Sequence, residues 1–247
     1  MSIYEALQTY DDDIPNELSI NIASTFNQSS GEPIIIVNAV WFGPEDEVNN
    51  QIQPFLALGP AANATSTVRW TDWWTVANFG AYNRASAIDC VNSQDYTAYA
   101  LGTRKTDPHT LTKVYTGLAT FTKANPGFVG FIGIDRYPNA VTLSIPQGET
   151  AYPYRAIKSQ VTMQSNFPRN NSTLNELANE FWKDTRSSVQ ATSGFDHLSV
   201  YVNFANGDEG PAAWYSPQNL YNLTRLKRKW DSRERFSFYQ PVPLRWP

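Results

Sequence analysis

The sequence predicts an α+β fold: a mostly antiparallel sheet with helices covering one face, followed by a C-terminal helix and an extended tail. Three observations carry this. Leu18, Ile20 and Ile22 alternate with Ser19, Asn21 and Ala23, the period of a half-buried strand. Several strand-like runs come in succession without the regular strand–helix alternation of a parallel sheet. Leu174, Leu177, Ala178, Phe181 and Trp182 make one apolar stripe at helical spacing.

Taken in order, the run from Ile34 to Trp41 is continuously apolar except at Asn38, and predicts a central strand covered on both faces. Gly43-Pro44-Glu45-Asp46-Glu47 opens a helix, with Pro in the first turn and carboxylates at its positive end, and Val48, Ile52 and Phe55 give it an apolar face. The aromatic stretch from Thr67 to Phe79, with Trp70, Trp73 and Trp74, reads as a strand running into a short helix. Leu111, Val114, Tyr115 and Leu118 predict a helix over Thr110–Lys123, stopped by Asn125-Pro126-Gly127. Phe128 to Ile134, Val141 to Ile145 and Ile157 to Met163 read as three further strands between Pro/Asn and Pro/Gly turns. Thr173 and Glu176 form a capping box at the head of the striped helix. Leu198 to Phe204 reads as a last strand, and Ser216-Pro217 as N-cap and first residue of a final helix with Leu220, Leu223, Leu226 and Trp230 as its buried seam. Residues 1–195 are expected to form the α+β domain and 196–247 a C-terminal segment packed with it as one unit.

Composition narrows the function classes. A chain of 247 residues with 41% hydrophobic and 17% charged content can bury a sizeable core. The net charge of −4 argues against nucleic acid or an anionic membrane as partner. The basic run Arg225, Lys227, Arg228, Lys229, Arg233 and Arg235, interleaved with Leu and Trp, reads as a solvated helix face. No apolar run is long enough to span a bilayer, and the start lacks the basic-then-apolar order of a signal peptide, leaving localisation open. A single cysteine, Cys90, excludes an internal disulfide, and with only His109 and His197 beside it no structural metal site is expected. Gly130-Phe131-Ile132-Gly133 has neither the spacing nor the Lys of a phosphate loop. Sequons stand at Asn27, Asn63, Asn170, Asn171 and Asn222. The 14% aromatic share, with eight Trp, favours flat pockets or aromatic-rich packing. Asp89, Asp95 and Asp135 have no visible local partner, and their surroundings in sequence suggest no catalytic role.

Two motifs go further. The C-terminal order is Tyr201-Val202-Asn203-Phe204, an acidic loop at Asp208-Glu209, a Leu/Lys/Arg-rich helix, then Asp231 followed by Phe236 and a Pro-containing tail. It resembles the ending of the berberine bridge enzyme-like FAD-linked oxidoreductases, whose strand reads Tyr-x-Asn-Tyr. Upstream, Thr150-Ala151-Tyr152-Pro153-Tyr154-Arg155 resembles that family's Thr-Ala-Phe-Pro-His-Arg motif, with Tyr154 in place of His. The likeness runs from about Leu18 to Pro243.

The resemblance implies a substrate domain that works with an N-terminal FAD-binding domain, FAD being attached through residues not found here. It therefore implies the C-terminal half of an oxidoreductase acting on a small organic substrate, a secondary metabolite or sugar, with flavin and oxygen. The alternative is a truncated, non-catalytic relative that binds a small molecule or a partner chain on the surface an FAD domain would cover.

Strand alternation puts Tyr201 and Asn203 on one face and Phe204 on the other. A Tyr and an Asn on a solvated sheet face is the plainer explanation; the resemblance turns Asn203 toward the flavin and makes Tyr201 the candidate base. The family's base position is here Phe204, which holds no proton. Six positions past Arg155, where some relatives carry Glu, stands Val161. Phe204, Val161 and Met163 are expected on the substrate wall.

Overall fold

The structure, a computed structural model, describes residues 2–27, 30–67 and 94–246. The expected strand and helix around Trp70, Trp73 and Trp74, and Cys90 and Asp89, lie outside the described residues. Five strands form one antiparallel sheet: β1 (Leu18–Asn27), β2 (Glu32–Trp41), β3 (Gln94–Thr103), β4 (Val129–Arg136) and β5 (Ser159–Pro168), in the order β2-β1-β4-β5-β3. Helices α1 (Ile3–Gln8), α4 (Pro108–Ala124) and α6 (Ser172–Thr192) cover one face; α2 (Val48–Gln51) and α3 (Gln53–Leu56) sit beside α1.

The period-two pattern accounts for the two faces. Leu18, Ile20 and Ile22 of β1, Ile132 and Ile134 of β4, Val161, Met163 and Phe167 of β5, and Tyr99 and Leu101 of β3 meet Leu7, Leu111, Val114, Leu118, Leu174, Ala178 and Trp182 from the helices. Trp182 is fully buried, and its indole N–H donates to Ser165 Oγ at 2.9 Å.

Four local expectations are corrected. β2 is an end strand among the described residues, and its residues are mostly half-buried; a continuous apolar run marks contact with several neighbours, not a central position. Val141 to Ile145 is not a strand: Ala140–Ser144 is one short helix (α5) with Val141 and Leu143 exposed. α6 is capped two residues before Thr173, by Asn171 Oδ1, which accepts from Leu174 N at 3.0 Å. Leu198 to Phe204 joins no sheet: it is an extended strap ending in a 3₁₀ turn, Val202–Phe204.

The strap crosses the β3 end of the open sheet face. Gly102 N donates to Ser199 O at 2.7 Å, and Val200 N donates to Ala213 O at 2.9 Å. Ala100, Val200, Ala205, Ala213 and Trp214 close a small second core there. Gly102 is needed, because a Cβ on it would overlap the side chain of Ile157. Helices α7 (Pro211–Tyr215) and α8 (Pro217–Trp230) follow, the latter capped by Ser216 Oγ as expected. The expected α8 seam is only partly inside: Leu220 is buried, whereas Leu226 and Trp230 are exposed.

The acidic loop is a structural lock. Arg186 of α6 donates to both carboxylate oxygens of Asp208 at 2.8 Å and to Glu209 Oε1 at 2.8 Å. Glu209, buried, also accepts from Asn206 N, Gly207 N and Trp214 Nε1. Asp231 likewise closes the turn before the tail, accepting from Arg235 N and Phe236 N and pairing with Lys227.

Candidate functional site

The sheet face opposite the helices carries a row of polar side chains. Asn38, Asn21, Asp135 and Gln160 are successive register partners across β2, β1, β4 and β5. Each interrupts its strand at an outward position, so the row is a ladder of amides around one carboxylate. Asn38 Nδ2 donates to Asn21 Oδ1 at 3.4 Å, and Asn21 Nδ2 donates to Asp135 Oδ1 at 2.8 Å. Burial raises the Asp135 pKa above the ordinary carboxylate value, and the single bond from Asn21 offsets this only partly.

Where Gln160 ends the row, tyrosines gather. A cavity of about 240 Å³ is lined by Tyr152, Tyr154, Ile157, Gln160, Val200, Tyr201, Trp214 and Tyr215. Gln160 is buried, and its Oε1 has no hydrogen-bond partner among the described residues. Burial pushes Tyr137 and Tyr154 up to about 12, and raises Tyr152. Tyr154, which stands in the place of the family's His, donates its hydroxyl proton to Ala212 O at 2.6 Å and so fastens the motif loop to α7. These three phenols hold their protons at neutral pH. They can donate hydrogen bonds to a ligand oxygen but are poor proton acceptors.

Of the residues singled out in the sequence, Tyr201 lines this cavity. Strict alternation fails in the 3₁₀ turn, which brings Tyr201 and Phe204 edge to face with ring centres 5.4 Å apart. Asn203 is exposed and donates Nδ2 to the Tyr201 hydroxyl at 2.8 Å. Val161 and Met163 are not on this face: both are buried beneath the helices in the main core. The site-facing positions of β5 are the alternate ones, Gln160 and Thr162. Counting forward from Arg155 missed this because residues 155–158 are not strand and set no phase for β5. Asp135, Asn21 and Gln160 were missed because the ladder joins residues more than a hundred positions apart. The available signal was that Asn21 and Asp135 each follow an isoleucine at an outward position of a strand whose alternate residues are apolar.

The architecture is an α+β domain whose sheet face opposite the helices holds a polar row with a tyrosine-lined cavity at its end. Residues 200–243 match the family described as "Berberine and berberine like". The chain is 37% identical over 245 residues to the FAD-linked oxidoreductase tazG of Aspergillus terreus, covering 99% of this chain and 50% of that protein. It is 36% identical over 228 residues to the FAD-linked oxidoreductase azaL of Aspergillus niger, covering 92% and 48%. The chain thus spans about half the length of the curated relatives it matches. Among solved structures it resembles a carbohydrate oxidase from Microdochium nivale (TM-score 0.73, 22% identity, 98% of this chain and 52% of that one). It also resembles berberine bridge enzyme from Eschscholzia californica (TM-score 0.74, 12% identity, 96% and 51%). Residues 200–243 thus match the berberine bridge enzyme-like family, and over nearly its whole length the chain is similar to about half of each of these FAD-linked oxidoreductases.

Proposed function

We propose that this chain is the substrate-facing half of an FAD-linked oxidoreductase that oxidises a small organic molecule, a secondary metabolite or sugar. The observation that carries the proposal is the cavity of about 240 Å³, lined by Gln160 and by Tyr152, Tyr154, Tyr201 and Tyr215, at the end of the Asn38–Asn21–Asp135–Gln160 row. The residues fit the ring end of a flavin and the substrate against it: Tyr201 and Gln160 line the cavity, Asn203 donates to the Tyr201 hydroxyl, and Asp135 and Asn21 continue the polar row from Gln160 across the sheet. They do not cradle a diphosphate, because Arg155, the buried guanidinium nearest the cavity, is turned toward Thr150 Oγ1 and Thr142 O. When bound, FAD would accept two electrons from the substrate and pass them to oxygen. This chain's residues bind and orient the substrate hydroxyl, exclude water with the strap and α7, and handle its proton. Residues 196–247 act with 1–195 as one unit in this reading, held by the Arg186 lock.

The test is anaerobic flavin reduction in the FAD-loaded protein that contains this chain, screened with sugars, phenols and benzylic alcohols. Bleaching of the flavin absorbance by one class supports the proposal and names the class. A colourless protein that binds small molecules without taking up flavin supports instead the non-catalytic binding protein, for which Phe204 at the family's base position is the favouring observation.

A further inference from the structure

Two neighbouring residues of the tail hold backbone conformations that side chains rarely adopt. Tyr239 and Gln240 have φ of 29° and 54°, and Gln240 is buried. Left-handed geometry at a residue other than glycine is strained, and it persists where the surroundings over-determine it. Here the surroundings are one wall of the cavity. The Tyr239 hydroxyl donates to Ala205 O, where the 3₁₀ turn of the strap ends. Gln240 O accepts from the Tyr215 hydroxyl at 2.6 Å, at the end of α7. The Gln240 side chain lies against Gly207, where a Cβ would come within 3.0 Å of its Nε2.

The strap and α7 form that wall through Val200, Tyr201, Val202, Trp214 and Tyr215. Val200 N donates to Ala213 O, and Glu209 accepts from Asn206 N and the Trp214 indole. Neither tie fixes the Tyr215 ring; its hydroxyl is held by the tail. Because Tyr239 and Gln240 are consecutive, with Cα atoms about 3.8 Å apart, one dipeptide sets the spacing between the end of the strap and Tyr215. The base of the tail is fastened separately, by Lys227 Nζ to Phe236 O at 2.6 Å and by the Arg235 and Phe236 amides to Asp231. Loosening the kink therefore does not release the whole tail.

We propose that Tyr239 and Gln240 are positioning residues of the site: their kink holds Tyr215 and the end of the strap at a fixed spacing, and so sets the width of the cavity for its ligand. Their part in catalysis rests on the oxidoreductase reading above. They touch no reacting atom and act through the Tyr215 ring and the strap.

The first readout needs no flavin: hydrogen exchange of single amides in Tyr239→Phe, which removes only the hydroxyl of a ring already 64% exposed. The amides of Phe204 and Ala205, which close the turn of the strap, should exchange about 2- to 10-fold faster, as expected for the loss of one hydrogen bond. The sheet amides and the melting temperature should stay as in the native chain. Gln240→Gly keeps the carbonyl but frees its φ, and should speed exchange at Ser216, the residue after Tyr215. The second readout is flavin reduction in the loaded protein, with the compound class that bleaches the native flavin. There Tyr239→Phe should raise KM by about 2- to 10-fold and leave kcat unchanged. A residue that merely stiffened the fold would lower the melting temperature and leave KM alone.

Turn amides that exchange at the native rate in both variants, a sheet that loosens along with them, or an unchanged KM would overturn the assignment. If the native protein reduces no flavin with any compound, the oxidoreductase reading fails by itself, and the exchange rates still decide whether the kink sets the wall.

Discussion

At the scale of single residues, charges were placed by two different rules. Arg186 pairs with both Asp208 and Glu209 beside the strap, and the second carboxylate of the cluster is supported by the three N–H donors that Glu209 also takes. Replacing Arg186 with Met would strand those carboxylates. It should lower stability by about 3–5 kcal/mol in urea unfolding, and a loss under about 1 kcal/mol would show that the lock is ornamental. Burial pushes Asp208 up, but the hydrogen bond and charge of Arg186 outweigh it and hold it below the usual carboxylate range. Its stabilisation is thus present above the ordinary Asp value and is lost as pH falls through the depressed one, so the Arg186→Met variant should show a flatter acid-unfolding profile. Asp135 follows the other rule: among the described residues no cation pairs with it, and the amide of Asn21 donates to it. Local sequence could not separate the two: Asp208 and Asp135 are both acids in mixed surroundings, and only the fold decides which meets an arginine.

At the scale of elements, strong periodicity was enough for β1, α4, α6 and the head of α8, and it failed where segments were short or one-sided. Ala140–Ser144 was too brief to show a helical period, and Leu198–Phe204 alternates in sequence but has no strand partner. The cap of α6 turned on three residues, Asn171, Ser172 and Thr173, all good caps by type. Because Asn171 is the side chain that accepts from Leu174 N, Asn171→Ala should cost about 1 kcal/mol and Thr173→Ala much less. Melting curves of the two variants side by side check this, and equal losses would put the cap back at Thr173. The family likeness singled out the segment around Tyr201, which the structure places beside the cavity as a strap and not as the expected strand, and it misplaced the phase of β5, because a motif fixes sequence order while strand phase depends on the residue at which pairing begins.

At the scale of the whole molecule, an aromatic surface stands open. Trp230, Phe236 and Phe238 are 73%, 78% and 87% exposed at the end of α8 and in the tail. Isolated exposed apolar residues are ordinary, but three large aromatics this exposed within nine residues of chain are a candidate for contact with other protein. In relatives twice the length of this chain there is other protein to meet such a face. The chain by itself should therefore self-associate as concentration rises in sedimentation velocity runs. Replacing Trp230 and Phe238 with Ser should restore a single monomeric boundary without lowering the melting temperature. A native chain that is already monomeric at high concentration would remove this surface as a contact.

The strand order has a consequence for how the chain comes into being. β1 and β2 are hairpin neighbours and can zip as soon as both are made, but among the described residues β3 pairs only with β5 and is fastened finally by the strap through Gly102. During synthesis at about 5–20 residues per second, β3 must wait for several seconds beside an incomplete sheet. Its central residues, Tyr99, Ala100 and Leu101, are apolar. The nascent chain is therefore most vulnerable to chaperone capture and to misjoining while its third strand is waiting for its fifth.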